Sequence, residues 1–243
     1  MTNQKEIELN EGVTRKDVNK SRLCVILEPN PAFDNLRRGY PDRPFDQQCS
    51  GKEFRESSEI ILKELAKKTV EQIDPKKIVV LMPWRSGLAF GKAYIELGVN
   101  NFYHVSSKRN EETLETMVNF ESGNITPDNF IVIADPMLAT GNTIIDAIKR
   151  IISKGTTPEK IIINSVVAAP VGVKKIKDLY PQIKIIVGSL DDKLDEKGYI
   201  VPGLGDFGDK YFTDFSDEDL NKLIGLFNID VVCSDKMKDR FKN

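Results

Sequence analysis

The sequence predicts an α/β fold in which one parallel sheet carries helices on both faces. Three observations predict it. The runs "KIVVLM" (77–82), "FIVIAD" (130–135), "KIIINSVVA" (160–168) and "IKIIVG" (183–188) are continuously apolar rather than alternating, as strands buried on both faces are. Segments of helical period stand between them. Gly98 and Gly155 stop two of those helices, as glycine does just past a helix end. In sheets of this kind ligands bind beyond the carboxyl ends of the strands.

Taken in order, residues 1–20 are polar and predict no core element. "CVIL" (24–27) reads as a short strand. Residues 28–50, rich in Pro, Arg, Asp and Gln, read as irregular. Residues 52–72 form a helix with Ile61, Leu62, Leu65, Ala66 and Val70 on one face. After the strand 77–82 comes a short helix, "GLAFGKAYIEL" (87–97), and a second strand, "NFYHVS" (101–106). Residues 108–129 are polar and predict no core element. Strand 130–135 leads to a helix at 143–154 with Ile144, Ile145, Ile148, Ile151 and Ile152 inward. Strand 160–168, a helix at 171–180 with Pro170 suited to its first turn, and strand 183–188 follow. "SDEDLNKLIGLF" (216–227) opens like a capping box at Ser216 and Asp219, with Leu220, Leu223, Ile224 and Phe227 on one face. The expected organisation is an N-terminal extension (1–50), an α/β domain (51–212) and a C-terminal helical extension (213–243).

Composition narrows the function. A net charge of −2 over 243 residues gives no field that favours nucleic acid or an anionic membrane. The three cysteines, Cys24, Cys49 and Cys233, are odd in number and far apart, which speaks against a disulfide framework or a zinc site. No apolar run reaches the roughly 20 residues that span a bilayer. The N-terminus lacks the apolar stretch of a signal peptide. The expectation is a cytoplasmic protein.

The stretch "IVIADPMLATGNT" (131–143) carries the chemistry. A buried strand ends in one carboxylate, Asp135, and a run of small residues leads into a helix. The first amides of a helix lack intrahelical acceptors and sit at the positive end of its dipole. Small residues let a phosphate approach them, and Thr140 and Thr143 add hydroxyl donors, so the turn can cradle phosphate without a lysine. Asp135 is placed to accept hydrogen bonds from two ribose hydroxyls, or to help hold magnesium through water. The same pattern also suits an ordinary strand-to-helix turn capped by threonine.

This stretch resembles the phosphoribosyl-diphosphate-binding motif of type I phosphoribosyltransferases. Its Asp-Pro-Met-Leu-Ala-Thr form is similar to that of uracil phosphoribosyltransferases in particular. "GYIVPGLGDFGDKYF" (198–212) resembles the uracil-binding segment of that family. Its glycines and proline exclude a regular strand or helix interior and indicate a shaped loop whose backbone comes close to something. "VVAAPVGV" (166–173), "SLDDKLDEKGY" (189–199), "MPWRSGLAFG" (82–91), "KRNEETLE" (108–115) and "SGKEFRE" (50–56) resemble further family segments. Ser86 stands where the family pattern has alanine, and Asn142 where it has glycine.

The resemblance implies a parallel sheet of about five strands flanked by helices, with a small hood from the N-terminal and 189–212 segments. It implies transfer of ribose 5-phosphate from phosphoribosyl diphosphate to N1 of uracil, giving UMP and pyrophosphate, in pyrimidine salvage. Mg2+ is expected to be held by the pyrophosphate and water rather than by a protein metal site. Ala139, Thr140, Gly141, Asn142 and Thr143 would hold the 5-phosphate, and Asp135 the ribose hydroxyls. Arg85 would face the pyrophosphate and Arg109 would fold over it as a lid. Ile200 and Gly205 would present backbone to uracil, Asp206 and Phe207 would complete that wall, and Met137 would pack on the base. Asp191 matches a family acid that is either structural or catalytic, and His104 reads as packed or exposed rather than catalytic. The short connection "EQIDPKK" leaves no room for the family's β-hairpin arm, so a homo-oligomer, a dimer with a non-standard interface, is expected. The alternative is a homologue that binds uracil, UMP or phosphoribosyl diphosphate in a regulatory or scaffolding role without efficient turnover.

Overall fold

A computed structural model describes residues 13–16, 18, 22–25, 30–38, 49–109 and 116–213. The amphipathic segment 216–227 and most of both predicted extensions lie outside these residues.

The strands are β1 (Leu23–Val25), β2 (Ile78–Pro83), β3 (Asn101–Arg109), β4 (Thr116–Ser122), β5 (Phe130–Ala134), β6 (Met137–Leu138), β7 (Ile161–Ala168) and β8 (Lys184–Leu190). They form one sheet in the order β1-β8-β7-β5-β2-β3-β4, with β6 added to β7. Every pairing is parallel except β3 with β4. A separate small ladder pairs β9 (Lys193–Leu194) with β10 (Ile200–Val201). The helices are α1 (Pro31–Arg37), α2 (Gly51–Val70), α3 (Gly91–Glu96), α4 (Asn142–Ser153), α5 (Pro170–Leu179) and α6 (Phe207–Phe212).

Continuous apolar strands serve two cores because successive side chains point to opposite faces. Val80 and Met82 of β2, with Val132 and Ala134 of β5, pack toward α1, α2, α3 and α6. Val79, Leu81, Ile131 and Ile133 pack toward the isoleucines of α4 and toward Val173 and Ile176 of α5. The chain after β2 therefore runs over one face and the chain after β5 over the other. That divergence between adjacent strands opens a crevice at their carboxyl ends, where such sheets bind ligands.

Local chemistry explains the helix starts. Ser50 accepts from the Glu53 amide at 3.2 Å, and the Glu53 carboxylate accepts from the Ser50 amide at 2.9 Å, a reciprocal cap on α2. Asn30 caps α1 by accepting from the Ala32 amide at 2.8 Å. A buried polar pin holds α2 and α3 to the sheet: Asn164 of β7 donates to Tyr94 Oη at 2.6 Å and to Thr69 Oγ1 at 2.9 Å.

Three sequence expectations are corrected. The stretch 28–50 contains a helix, α1, whose Ala32, Phe33 and Leu36 are buried. Its short length and surrounding prolines obscure the helical period. The stretch 108–129 contributes β4, an edge strand antiparallel to β3, which itself runs three residues beyond the expected end. An edge strand with one solvated face needs few apolar residues, so its pattern is weak. Finally, the glycine-rich segment 198–212 contains the short strand β10 and ends in helix α6, so only the part between them is a loop. The connection from α2 to β2 is a turn and a short 3₁₀ segment, Pro75–Lys77, with no hairpin.

Candidate active site

Loops from β2, β5 and β8 meet at the carboxyl edge of the sheet. Arg85 follows β2 at the head of a 3₁₀ turn, Ser86–Phe90. The Trp84–Arg85 peptide is cis, as is Val201–Pro202. Gly87 lies so close to β5 that a Cβ there would sit 2.7 Å from the Ala134 carbonyl oxygen. Glycine is what lets the Arg85 turn close onto the strand that delivers Asp135.

Asp135 is 8 % exposed. Its Oδ1 accepts from the Met137 amide at 3.3 Å and from Ser86 Oγ at 3.4 Å. Burial pushes its pKa up to about 6, and those two donors only partly offset the desolvation. The serine that replaces the family alanine thus supplies a hydroxyl to this carboxylate.

The small-residue turn runs from Ala139 to Thr143. Gly141 is the N-cap of α4 at φ 81°, a left-handed conformation, and brings no side chain to the first helical amides. Ala139, Thr140 and Asn142 are half-buried and Thr143 is exposed. The turn is braced from behind by α5, where a Cβ on Gly172 would lie 2.3 Å from the Ala139 carbonyl oxygen. Lys175, also on α5, donates to Asn142 Oδ1 at 2.6 Å and brings a cation to the rim of the turn. Sequence inspection did not single out Lys175, because only the packing of α5 on this turn brings it near.

The glycine segment closes the other side. Ile200 is buried, Gly203 and Gly205 have left-handed φ of 54° and 76°, and Met137 is half-buried in β6. The Asp206 carboxylate accepts from the Asp209 amide at 2.9 Å and caps α6. The Phe207 ring turns into the core, 5.3 Å from Phe54 and stacked 5.5 Å from Tyr211. It can line a base site only through its backbone. Arg85 pairs with Asp209, and its guanidinium lies 6.0 Å from the Phe212 ring centroid, so the β2 loop and α6 are tied together.

Arg109 ends β3, its backbone in register with Thr116, and residues 110–115 lie outside the described residues. His104 is buried and accepts from the Trp84 indole at 3.1 Å. Desolvation lowers its pKa to about 4, so it stays neutral at physiological pH. Asp191 is fully buried and paired with Arg37, which gives it a structural role. Sequence inspection missed Arg37, which sits in a stretch that reads as irregular.

The family model for uracil phosphoribosyltransferase matches residues 46–213. A uracil phosphoribosyltransferase of Lachnoclostridium phytofermentans is 39% identical over 150 residues, covering 61% of this chain and 71% of that protein. One from Aquifex aeolicus is 35% identical over 150 residues, with the same coverage of 61% and 71%. A solved structure of a protein from Aquifex aeolicus superposes with a TM-score of 0.66 at 26% identity, covering 79% of this chain and 98% of its own. The matched span contains the Arg85 turn, Asp135, the phosphate-type turn and the glycine segment, and the chain belongs to the uracil phosphoribosyltransferase family.

Proposed function

We propose that the protein transfers the ribose 5-phosphate of phosphoribosyl diphosphate to N1 of uracil, forming UMP and releasing pyrophosphate, a step of pyrimidine salvage. The observation that carries this reading is the convergence of Arg85, Asp135, the Ala139–Thr143 turn and the glycine segment at one edge of the sheet. The first amides of α4, with the Thr140 and Thr143 hydroxyls, bind the 5-phosphate. Asp135 accepts from the ribose hydroxyls. With a pKa of about 6 it is ionised at neutral pH, and its charge opposes the positive charge that grows on the anomeric carbon. Ile200 and Gly205 present backbone groups to the acceptor-donor-acceptor edge of uracil, with Met137 against the ring and the backbone of Asp206 and Phe207 completing the wall. Arg85 leaves Asp209 for the pyrophosphate, and Arg109 closes over it and excludes water. The catalysis is mainly positioning and charge stabilisation.

Magnesium fits this donor set as a companion of the substrate. Among the described residues no cluster of three or more His, Cys, Asp or Glu could hold a metal. Mg2+ commonly takes substrate phosphates, waters and one or two carboxylates, and Asp135 is the carboxylate placed to contribute. Bound there, Mg2+ would supply positive charge to offset that of the departing pyrophosphate.

The site lies within one described chain, and we propose a homo-oligomer, a dimer whose interface does not use a hairpin arm. Among the described residues no helix is long and apolar enough to cross a membrane.

The test is incubation with radiolabelled uracil, phosphoribosyl diphosphate and magnesium, comparing the wild type with Asp135→Asn. The expected result is UMP from the wild type and a loss of about 10²–10³-fold in kcat for the variant. A folded wild type that binds phosphoribosyl diphosphate but forms no UMP would overturn the enzymatic reading in favour of a ligand-binding one.

A further inference from the structure

Arg37 sits at the end of α1, outside the span that the family model matches. It reaches Asp191, 154 residues away. Arg37 Nη1 donates to Asp191 Oδ2 at 3.0 Å and Nη2 donates to Oδ1 at 2.9 Å, a bidentate fork. The same carboxylate accepts from Ser189 Oγ at 2.7 Å and from the Gly203 amide at 2.8 Å. Asp191 is 0 % exposed, and the Arg37 side chain is 18 % exposed.

The Gly203 bond reaches the base segment directly, and the others hold the carboxylate that makes it. Gly203 follows the cis Val201–Pro202 bond and has a left-handed φ of 54°. Its amide is the hydrogen bond that turns the chain toward Leu204 and Gly205. The neighbouring Asp192 amide donates to the Val201 carbonyl at 2.9 Å, and the Asp191 amide donates to the Ala168 carbonyl at 2.8 Å. The carboxylate that holds Gly203 is thus itself fixed to the end of β7. A buried carboxylate is stable only when paired and hydrogen-bonded, and Arg37 supplies the opposite charge. The helix bearing Arg37 is equally fixed: a Cβ on Gly188 would meet the Phe33 ring at 2.6 Å, so α1 lies flush on β8.

We propose that Arg37 is a positioning residue for base recognition. Through Asp191 it sets the backbone of residues 198–206, and its loss weakens uracil binding selectively. This rests on reading 198–206 as the base site. Among the described residues the hydrogen bonds of Arg37 run to Asp191 and Ser189, not to the phosphate turn or Arg85. A lysine in its place keeps the charge but not the two-pronged geometry.

Hydrogen–deuterium exchange and steady-state kinetics on the full chain test it together, with Arg37→Ala and Arg37→Lys. For Arg37→Ala, exchange in 198–206 should rise about tenfold while β5 and β7 keep their protection. KM for uracil should rise about tenfold, KM for phosphoribosyl diphosphate should stay within about twofold, and Arg37→Lys should recover part of the loss. Unchanged exchange in 198–206, or equal increases in both KM values, overturns the proposal. A merely structural role would loosen α1 and the strands alike. If Arg37→Ala does not fold, Arg37→Lys decides: intermediate exchange in 198–206 supports the clamp, and wild-type exchange refutes it. If the wild type forms no UMP, the transferase reading falls, and the exchange data judge the clamp by themselves.

Discussion

Ser86 Oγ lies 3.4 Å from Asp135 Oδ1, joining the loop after β2 to the strand end that carries the one acid of the phosphate motif. The contact is long for a hydrogen bond and offsets little of the cost of burying that carboxylate. Asp135 is therefore held at a loss to stability, as residues in working sites often are.

The pH dependence of stability should show it. The Asp135 carboxyl titrates at 3.8 when unperturbed and at about 6 in the fold. Between those values the folded chain holds a proton that the unfolded chain has lost, so stability falls as pH rises from about 4 to about 6. Above that window the penalty is complete, about 3 kcal/mol for a shift of this size. Asp135→Asn should then raise the melting temperature at pH 7.5 while cutting kcat about 10²–10³-fold, and the gain should shrink toward pH 4. Calorimetry at the two pH values checks it, and a variant less stable than wild type at pH 7.5 contradicts it.

The same titration should appear in catalysis. If the ionised Asp135 accepts from ribose hydroxyls, kcat/KM for phosphoribosyl diphosphate should rise with pH through an apparent pKa near 6 in the free protein. The acid limb should vanish in the residual activity of Asp135→Asn. A pH–rate profile flat from 5 to 7.5 would argue against this role.

Gly172→Ala places a Cβ 2.3 Å from the Ala139 carbonyl oxygen, with backbone on both sides of the contact. The α5 helix must shift, at a cost of about 1–3 kcal/mol, and the turn at 139–143 moves with it. KM for phosphoribosyl diphosphate should rise at least about tenfold with little change in KM for uracil. This is the reverse of the pattern expected at Arg37, so the two variants together assign the two loops.

Arg85→Ala should lower kcat by about 10²-fold through lost pyrophosphate stabilisation. Its ion pair with Asp209 is partly solvated on the Arg85 side and mostly exposed on the Asp209 side. Stability should then fall by no more than about 1 kcal/mol. Trp84, the single tryptophan of the chain, is the preceding residue. Its fluorescence should respond to phosphoribosyl diphosphate in the wild type and much less in the variant. A kcat within about threefold of wild type would remove Arg85 from the machinery.

Phe207→Ala should behave as a core truncation and destabilise by about 3–5 kcal/mol, because its ring packs between Phe54 and Tyr211. Phe207→Leu, which restores most of the volume, should keep KM for uracil near wild type. A large rise in that KM for the leucine variant, with stability intact, would show that the ring touches the base.

The sequence by itself determined the central strands, most helices and the composition of the phosphate turn. Those depend on local signals: continuous apolar runs in β2, β5, β7 and β8, the isoleucine stripe of α4, and a glycine at the turn into it. It also placed Asp135 at the carboxyl edge, since a parallel sheet has only one such edge for a strand-to-helix loop. Tertiary structure decided the rest. Arg37 with Asp191, Arg85 with Asp209 and Lys175 with Asn142 are 154, 124 and 33 residues apart. Such pairings follow from how helices lie on the sheet and leave no periodic trace in the chain. The direction of Phe207 depends on Phe54, an α2 residue, rather than on its glycine-rich neighbours. The β3–β4 pairing leaves a weak pattern in the sequence because an edge strand can form from backbone pairing with only one apolar face. Local sequence fixes which residues can do chemistry, and long-range packing fixes what each of them faces.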